Sequence, residues 1–177
     1  ISGTGSNLKK LIKFSKIRKS PISIDLIISD NSKAKGLKYA KQFNIKRKIF
    51  NFKKNRINEK NILSFLRKQK INFICLAGFM IILSKYFIKK FDNKIINIHP
   101  SLLPKYKGLN THEKAIRNKD KFGGCTVHYV TAKLDSGKII LQKKVKILAK
   151  DNSVTLAKKI LAQEHKLYSA AILKIFC

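Results

Sequence analysis

Residues 95–108 constrain the fold more than any other stretch of the chain. The run Ile95-Ile96-Asn97-Ile98-His99 is apolar apart from two polar residues set two apart, and Pro100 follows at once. Residues two apart on a strand face the same side, so the spacing predicts a buried strand presenting Asn97 and His99 together. Pro100 and Pro104 each fix φ and remove a backbone donor, which ends the strand and stiffens the loop behind it. In open α/β sheets ligands bind just beyond the carboxyl ends of the strands. An amide and an imidazole delivered there suit a site that handles a polarised carbonyl.

The rest of the chain supplies the layers such a strand needs. Residues 1–8, Ile-Ser-Gly-Thr-Gly-Ser-Asn-Leu, read as a strand end, a glycine turn and a helix opening at Ser6 or Asn7. A glycine turn at a helix N-terminus offers free N–H groups and a positive dipole end to a phosphate. On local grounds an ordinary strand-to-helix turn accounts for it equally well. The abrupt start suggests a truncated first strand, and a short segment missing after Cys177 is expected too.

Apolar Leu8, Leu11 and Ile12 give a helical stripe, and residues 22–29 read as a second buried strand that Asp25 interrupts. Asp30-Asn31-Ser32 predicts a capped helix reaching about Phe43, followed by a third strand over 46–50. Residues 58–70 read as a helix, 71–78 as a buried strand, and Ser84 as the cap of a short helix. Past that strand Met80, Ile81, Ile82 and Leu83 continue the apolar run. They are either core or the wall of a pocket for a flat organic ring. Residues 111–118 read as a helix, and 123–130 and 138–148 as two antiparallel strands. Asp151-Asn152-Ser153 caps a last long helix. The whole predicts one α/β domain over 1–177, its sheet mostly parallel with antiparallel C-terminal strands and flanking helices.

Composition narrows the function classes. No apolar run approaches the roughly 20 residues of a membrane span, and no signal peptide is evident, so a cytoplasmic, membrane-free protein is expected. Cys75, Cys125 and Cys177 are odd in number and lack metal-ligand spacing, which predicts reduced thiols and no metal. The 40 Lys+Arg against 9 Asp+Glu give a formal net charge of +31. Such a charge suits a polyanion partner. The basic residues are mostly Lys, however, and are spread along every segment among Ile and Asn. A dedicated nucleic-acid face would cluster its charge and favour Arg and aromatic rings. Compositional bias is therefore preferred to an RNA surface.

Asp135 lies in the loop 131–137 between the two antiparallel strands. If it approaches His99, the carboxylate favours the imidazolium, which with the Asn97 amide could stabilise an oxyanion. No activated Ser or Cys nucleophile is evident, which points to direct acyl transfer to an amine.

With these residues in view, the chain resembles the phosphoribosylglycinamide formyltransferase (GAR transformylase) family of folate-dependent enzymes. The resemblance runs nearly full length. It rests on Ile1-Ser2-Gly3-x-Gly5-Ser6-Asn7-Leu8, Leu76-Ala77-Gly78-Phe79-Met80, and the run from Asn97 to Pro104. Gly108-x-x-Thr111-His112, Val127-His128-Tyr129-Val130, Leu134-Asp135-x-Gly137 and Gln163-Glu164-His165 extend it. It implies a Rossmann-like formyltransferase fold and transfer of a formyl group from 10-formyltetrahydrofolate to glycinamide ribonucleotide (GAR). In that likeness Asn97, His99 and Asp135 are the catalytic trio. Gly5, Ser6, Asn7 and Glu164 hold GAR. Arg56, Met80, Ile81, Ile82 and Leu83 contact folate, with Thr131, Ala132, Lys133, Leu134, Asp135 and Asn97 on its other side. Small-molecule substrates, no metal, and a monomer or homodimer are implied. Ile81 stands where relatives commonly carry Arg, and Ala132 and Lys133 where they commonly carry acids.

Two related formyl-folate enzymes share the Asn-x-His core. Methionyl-tRNA formyltransferase would give the positive charge a purpose but lacks the Gly-x-Gly-Ser-Asn turn. Formyltetrahydrofolate deformylase shares more of the turn but differs around Pro100 and Leu102. A basic RNA-binding module is the reading from another class.

Overall fold

The computed structural model describes residues 1–50 and 55–177, and the side chains of 1–50 and 59–177. The chain divides into two compact units, Ile1–Ile96 and Asn97–Cys177.

In the first unit, helix α1 (Ser6–Ser15) buries Leu8, Leu11 and Ile12 on one face. Strands β1 (Leu26–Ser29) and β2 (Lys46–Ile49) pair in parallel, Leu26 opposite Lys46 and Ser29 opposite Ile49. Helices α2 (Lys38–Gln42), α3 (Asn55–Lys68) and α4 (Lys85–Lys90) follow the strands. Strand β3 (Ile74–Leu76) lies beside the beginning of strand β4 (Ile95–His99), with the Ile74 N–H donating to Lys94 O at 2.8 Å. Ser84 caps α4 as its sequence signal predicts, its Oγ accepting from Phe87 N at 3.1 Å. Glu59 on α3 reinforces that cap, accepting from Ser84 N at 2.9 Å and from the Ser84 hydroxyl.

Three elements of this unit depart from the sequence expectation. The strand predicted over 22–29 begins only at Leu26. Ahead of it Asp25 is exposed and accepts from the Ser23 hydroxyl at 2.9 Å, a local bond that competes with strand pairing. The helix expected from Asp30 is delayed to a 3-10 turn, Lys35–Leu37, running into α2. Asn31 does form a local turn, Oδ1 accepting from Lys33 N at 2.9 Å. Gly36 then turns its N–H to Gly3 O at 2.9 Å, a tertiary bond that no local cap signal foretells. Strand β3 is also shorter than residues 71–78 and only half-buried.

In the second unit the strand order is β4-β5-β6. Strands β5 (Phe122–Tyr129) and β6 (Ile139–Lys146) are antiparallel, as expected, with Gly124 opposite Lys144 and Val127 opposite Leu141. The register slips between Val127 and His128, which pairs with Ile139. Such bulges re-aim side chains and are frequent beside functional sites. Helix α5 (Thr111–Arg117) precedes β5. Helix α6 (Ser153–Phe176) buries Leu156, Ile160, Glu164, Leu167, Tyr168, Ala171 and Ile172. It packs on β5 and β6, where Cys125 and Val127 are fully buried. The spacing of these positions by three and four is the stripe of a helix lying on a sheet. Its N-terminus is a capping box: Asn152 Oδ1 accepts from Val154 N and Thr155 N at 3.0 Å, and Thr155 Oγ1 accepts from Asn152 N at 2.9 Å.

Among the described residues no helix is long and apolar enough to cross a membrane.

Candidate active site

Three sequence-predicted residues meet in the second unit. Strand β4 carries Asn97 and His99 to its end, and His99 is 5% exposed. His99 Nδ1 lies 3.3 Å from Asp135 Oδ2, and the two side chains are 7% and 8% exposed. Asp135 sits at φ 45°, a left-handed conformation that non-glycine residues seldom adopt. Its Oδ2 also accepts from Gly108 N at 2.9 Å. Two residues on, Gly137 lets the loop turn back: a Cβ there would lie 1.7 Å from Tyr129 O. The spacing Asp135-x-Gly137 therefore has a steric cause as well as a chemical one.

His128 is the functional candidate that residue-by-residue reasoning did not assign. It is 2% exposed. Nδ1 donates to Tyr129 O at 2.8 Å, because a carbonyl only accepts. Nε2 is then the acceptor side of a neutral ring and faces Asn97 Nδ2 at 3.4 Å, with Asp135 Oδ1 at 3.7 Å. Burial pushes the His128 pKa down; the Tyr129 carbonyl and Asp135 oppose this, and His99 adds to it. Alternation in β5 marks His128 as one face of a strand, and the register slips at His128 itself. The motif Val127-His128-Tyr129 was the available signal.

The loop that follows β4 is held at its backbone by side chains of β5 and β6. Thr126, fully buried on β5, donates Oγ1 to Ser101 O at 2.7 Å and accepts from Leu103 N at 3.1 Å. Gln142 Nε2 reaches Thr126 Oγ1 at 2.9 Å and Leu103 O at 2.7 Å. These bonds fix Ser101 and Leu103 against β5 and β6, and the peptide between Leu103 and Pro104 is cis.

His112, at the start of α5, has an Nε2 that is buried without a hydrogen-bond partner. Burial lowers its pKa, and the nearby His99 lowers it further against Glu113. On α6 Glu164 is 7% exposed. Burial first, and the Glu164 charge second, push the Cys125 thiol up to about 12, so this thiol is inert at neutral pH.

In the first unit, Gly5 opens α1 at φ 74° with no side-chain cap, leaving the first-turn N–H groups to other acceptors. A Cβ on Gly5 would lie 2.6 Å from Gly36 Cα, so close backbone approach as well as the turn requires glycine here. Ser6 is half-buried and Asn7 buried. In the loop after β3, Met80 and Ile82 are 65% and 68% exposed, whereas Leu83 turns into the core at 6%. Only the first two therefore present apolar side chains; Ile81 is half-buried. Ser2 holds this loop, its N–H donating to Gly78 O and its Oγ accepting from Met80 N, both at 3.0 Å. In the second unit Thr131, Ala132, Lys133 and Leu134 are exposed. Arg56 is on the first turn of α3, and its side chain lies outside the described residues. Among the described residues no group of His, Cys, Asp and Glu is arranged to hold a metal ion.

The formyl transferase family model matches residues 1–172. The chain is 41% identical over 175 residues to the trifunctional purine biosynthetic protein adenosine-3 of Homo sapiens, covering 97% of this chain. It spans only 17% of that relative's length. It is 40% identical to phosphoribosylglycinamide formyltransferase of Haemophilus influenzae, covering 97% of this chain and 82% of the relative. The crystal structure of phosphoribosylglycinamide formyltransferase from Brucella melitensis superposes with a TM-score of 0.95 at 40% identity, over 100% of this chain and 93% of that one. That from Anaplasma phagocytophilum gives 0.91 at 43% identity, over 97% and 81%. The α/β fold read from residue patterns is thus the fold of these enzymes, and the chain belongs to the formyl transferase family.

Proposed function

We propose that this chain transfers the formyl group of 10-formyltetrahydrofolate to the amine of glycinamide ribonucleotide, a step of de novo purine biosynthesis. The observation that carries the reading is the His99–Asp135 pair, 3.3 Å apart and nearly buried, on the strand end that also bears Asn97. Relatives named phosphoribosylglycinamide formyltransferase, of which the chain covers 82%, support the substrate assignment.

The chemistry asks for donors aimed at a carbonyl oxygen that becomes an oxyanion. His99 Nε2 is occupied by Tyr106 O at 2.9 Å, which leaves Nδ1, only loosely held by Asp135, as the nitrogen for that oxygen. Asn97 Nδ2 has two hydrogens and uses at most one toward His128. The amine attacks the formyl carbon directly, the new C–N bond forms, and the bond to the folate nitrogen breaks. Asp135 assists the proton in passing through water from the amine to the departing nitrogen. Gly5, Ser6 and Asn7 bind the ribose phosphate at the start of α1, and Glu164 the ribose side. Met80 and Ile82 supply apolar contact to the pterin, Leu83 serves through its backbone, and residues 131–135 are folate contacts as well. Arg56 meets the acidic tail of the folate. The activity belongs to one formyltransferase domain in the cytoplasm, and the family match over 1–172 supports the single-domain reading.

The test is formyl transfer by the purified chain with GAR, water and methionyl-tRNA as competing acceptors. Formylated GAR as the dominant product is expected. His99→Ala should lower kcat at least about a thousandfold and Asp135→Asn roughly a hundredfold, within the usual span of acid–base and oxyanion losses. Formate release without GAR would instead identify a deformylase. Unimpaired turnover by His99→Ala would sink the mechanism.

A further inference from the structure

Tyr106 occupies φ 53°, a conformation that a bulky aromatic residue adopts only where its surroundings impose it. What the strain achieves is visible at its carbonyl. Tyr106 O lies 2.9 Å from His99 Nε2, and a carbonyl can only accept, so Nε2 carries hydrogen. The other end of the residue is anchored independently. Its phenol donates to Asp120 Oδ2 at 2.8 Å and accepts from Asn118 Nδ2 at 2.8 Å. Asp120 in turn accepts from Lys105 Nζ at 2.8 Å, and its backbone N–H is tied to Ala115 O at 3.0 Å. Two residues past Tyr106, Gly108 N donates to Asp135 Oδ2, the same oxygen that faces His99 Nδ1. Residues 106–108 therefore hold the partners of both ring nitrogens.

We propose that Tyr106 and Asp120 are positioning residues for His99: the phenol–carboxylate bond holds the Tyr106 carbonyl on Nε2 and keeps Nδ1 toward the reacting carbonyl. Among the described residues neither side chain is hydrogen-bonded to the imidazole, and both act through the Tyr106 main chain. The inference rests on the formyl-transfer reading only where activity is the readout. The mechanism is the one by which an orienting partner fixes a histidine tautomer in other sites.

The experiment pairs kinetics with imidazole ¹⁵N NMR of the whole chain, His99 being assigned from the signal lost in His99→Gln. In the wild type Nε2 should be protonated at every pH from 6 to 8. Tyr106→Phe keeps the ring and removes the hydroxyl. It should lower kcat roughly 10- to 100-fold with KM changed less than about threefold, and move both the His99 nitrogen shifts and the midpoint of the kcat–pH profile. Asp120→Ala should act in the same direction, and Asp120→Asn, which keeps an oxygen for the phenol, should recover part of the loss. A purely structural role would lower the melting temperature while leaving shifts and pH midpoint alone, and that result overturns the proposal. So does a wild-type spectrum with Nε2 bare, a measurement that needs no variant to fold. A wild type without formyl transfer would overturn the formyl-transfer reading, while the ring-nitrogen spectrum still decides the positioning.

Discussion

The loops after β3 and after β4 both leave the end of a strand, and they are held to different extents. The loop after β3 is pinned through its backbone, by Ser2 at Gly78 and Met80, and leaves Met80 and Ile82 in solvent. The loop after β4 is pinned through side chains. Thr126 and Gln142 reach Ser101 and Leu103, Asp120 and Asn118 reach Tyr106, and Gly108 meets Asp135. A loop that offers apolar surface to a flat ring needs shape and tolerates substitution. One that orients an imidazole needs each polar group satisfied, because a buried donor left unpaired costs far more than a typical hydrogen bond contributes.

The contrast can be broken most directly at Thr126. Thr126→Val removes an acceptor for Leu103 N and Gln142 and a donor to Ser101 O at a fully buried position. A loss of about 3 kcal/mol is expected in chemical denaturation, from the stranded groups rather than the methyl exchange. Native-like stability would mean that the second loop is not held by the Thr126 side chain.

Gly5 sharpens the backbone side of the comparison. Gly5→Ala places a Cβ 2.6 Å from Gly36 Cα at φ 74°. Roughly 2 kcal/mol of destabilisation and weaker binding of a phosphate-bearing substrate are expected, since the turn must open. Unchanged stability and unchanged KM for GAR together would refute a close-packed phosphate turn.

Acid should act next, on groups of the second unit. His128 and His112 have pKa values lowered first by burial, so below 6.5 the unfolded chain takes up protons that the folded chain refuses. Stability is therefore full above pH 6.5 and falls as pH drops through that value. Asp120 adds a loss at lower pH. Burial raises its pKa, but Lys105 and Tyr106 outweigh this and hold it below 3.8. Thermal melts should show the midpoint falling between pH 7.5 and 5.5, and His112→Gln should flatten part of that slope. A pH-independent midpoint would contradict buried neutral histidines.

The smallest effect on stability belongs to the first loop. Ile82→Ser, at a side chain 68% exposed, should change stability by less than about 0.5 kcal/mol. It should still raise KM for the folate severalfold, by removing apolar contact. A large loss of stability there would erase the distinction between the loops.

Most of the element order was legible in the residues because periodicity and caps are local. The stripe of Leu156, Ile160, Leu167 and Ala171, the cap at Ser84 and the capping box at Asn152 each act within a few residues. The late start of the helix after Asp30 was not legible, since Gly36 bonds to Gly3 and so answers to a distant segment. Which of residues 80–83 are core was left open by the residues alone: Leu83 and Ile82 are similar in hydropathy, yet one is core and the other solvent-exposed.

The sequence by itself determined which chemistry is available. An amide and an imidazole two apart on a strand must share a face, and prolines behind them must stop it. Only tertiary structure decided how that chemistry is aimed. The contacts of His128 with Asn97 and of the left-handed Asp135 with His99 join residues more than 30 apart, and the carbonyl of Tyr106 reaches Nε2 only because the loop turns back on its strand. Hydrogen-bond direction at such distances follows from packing, and packing is a property of the folded whole.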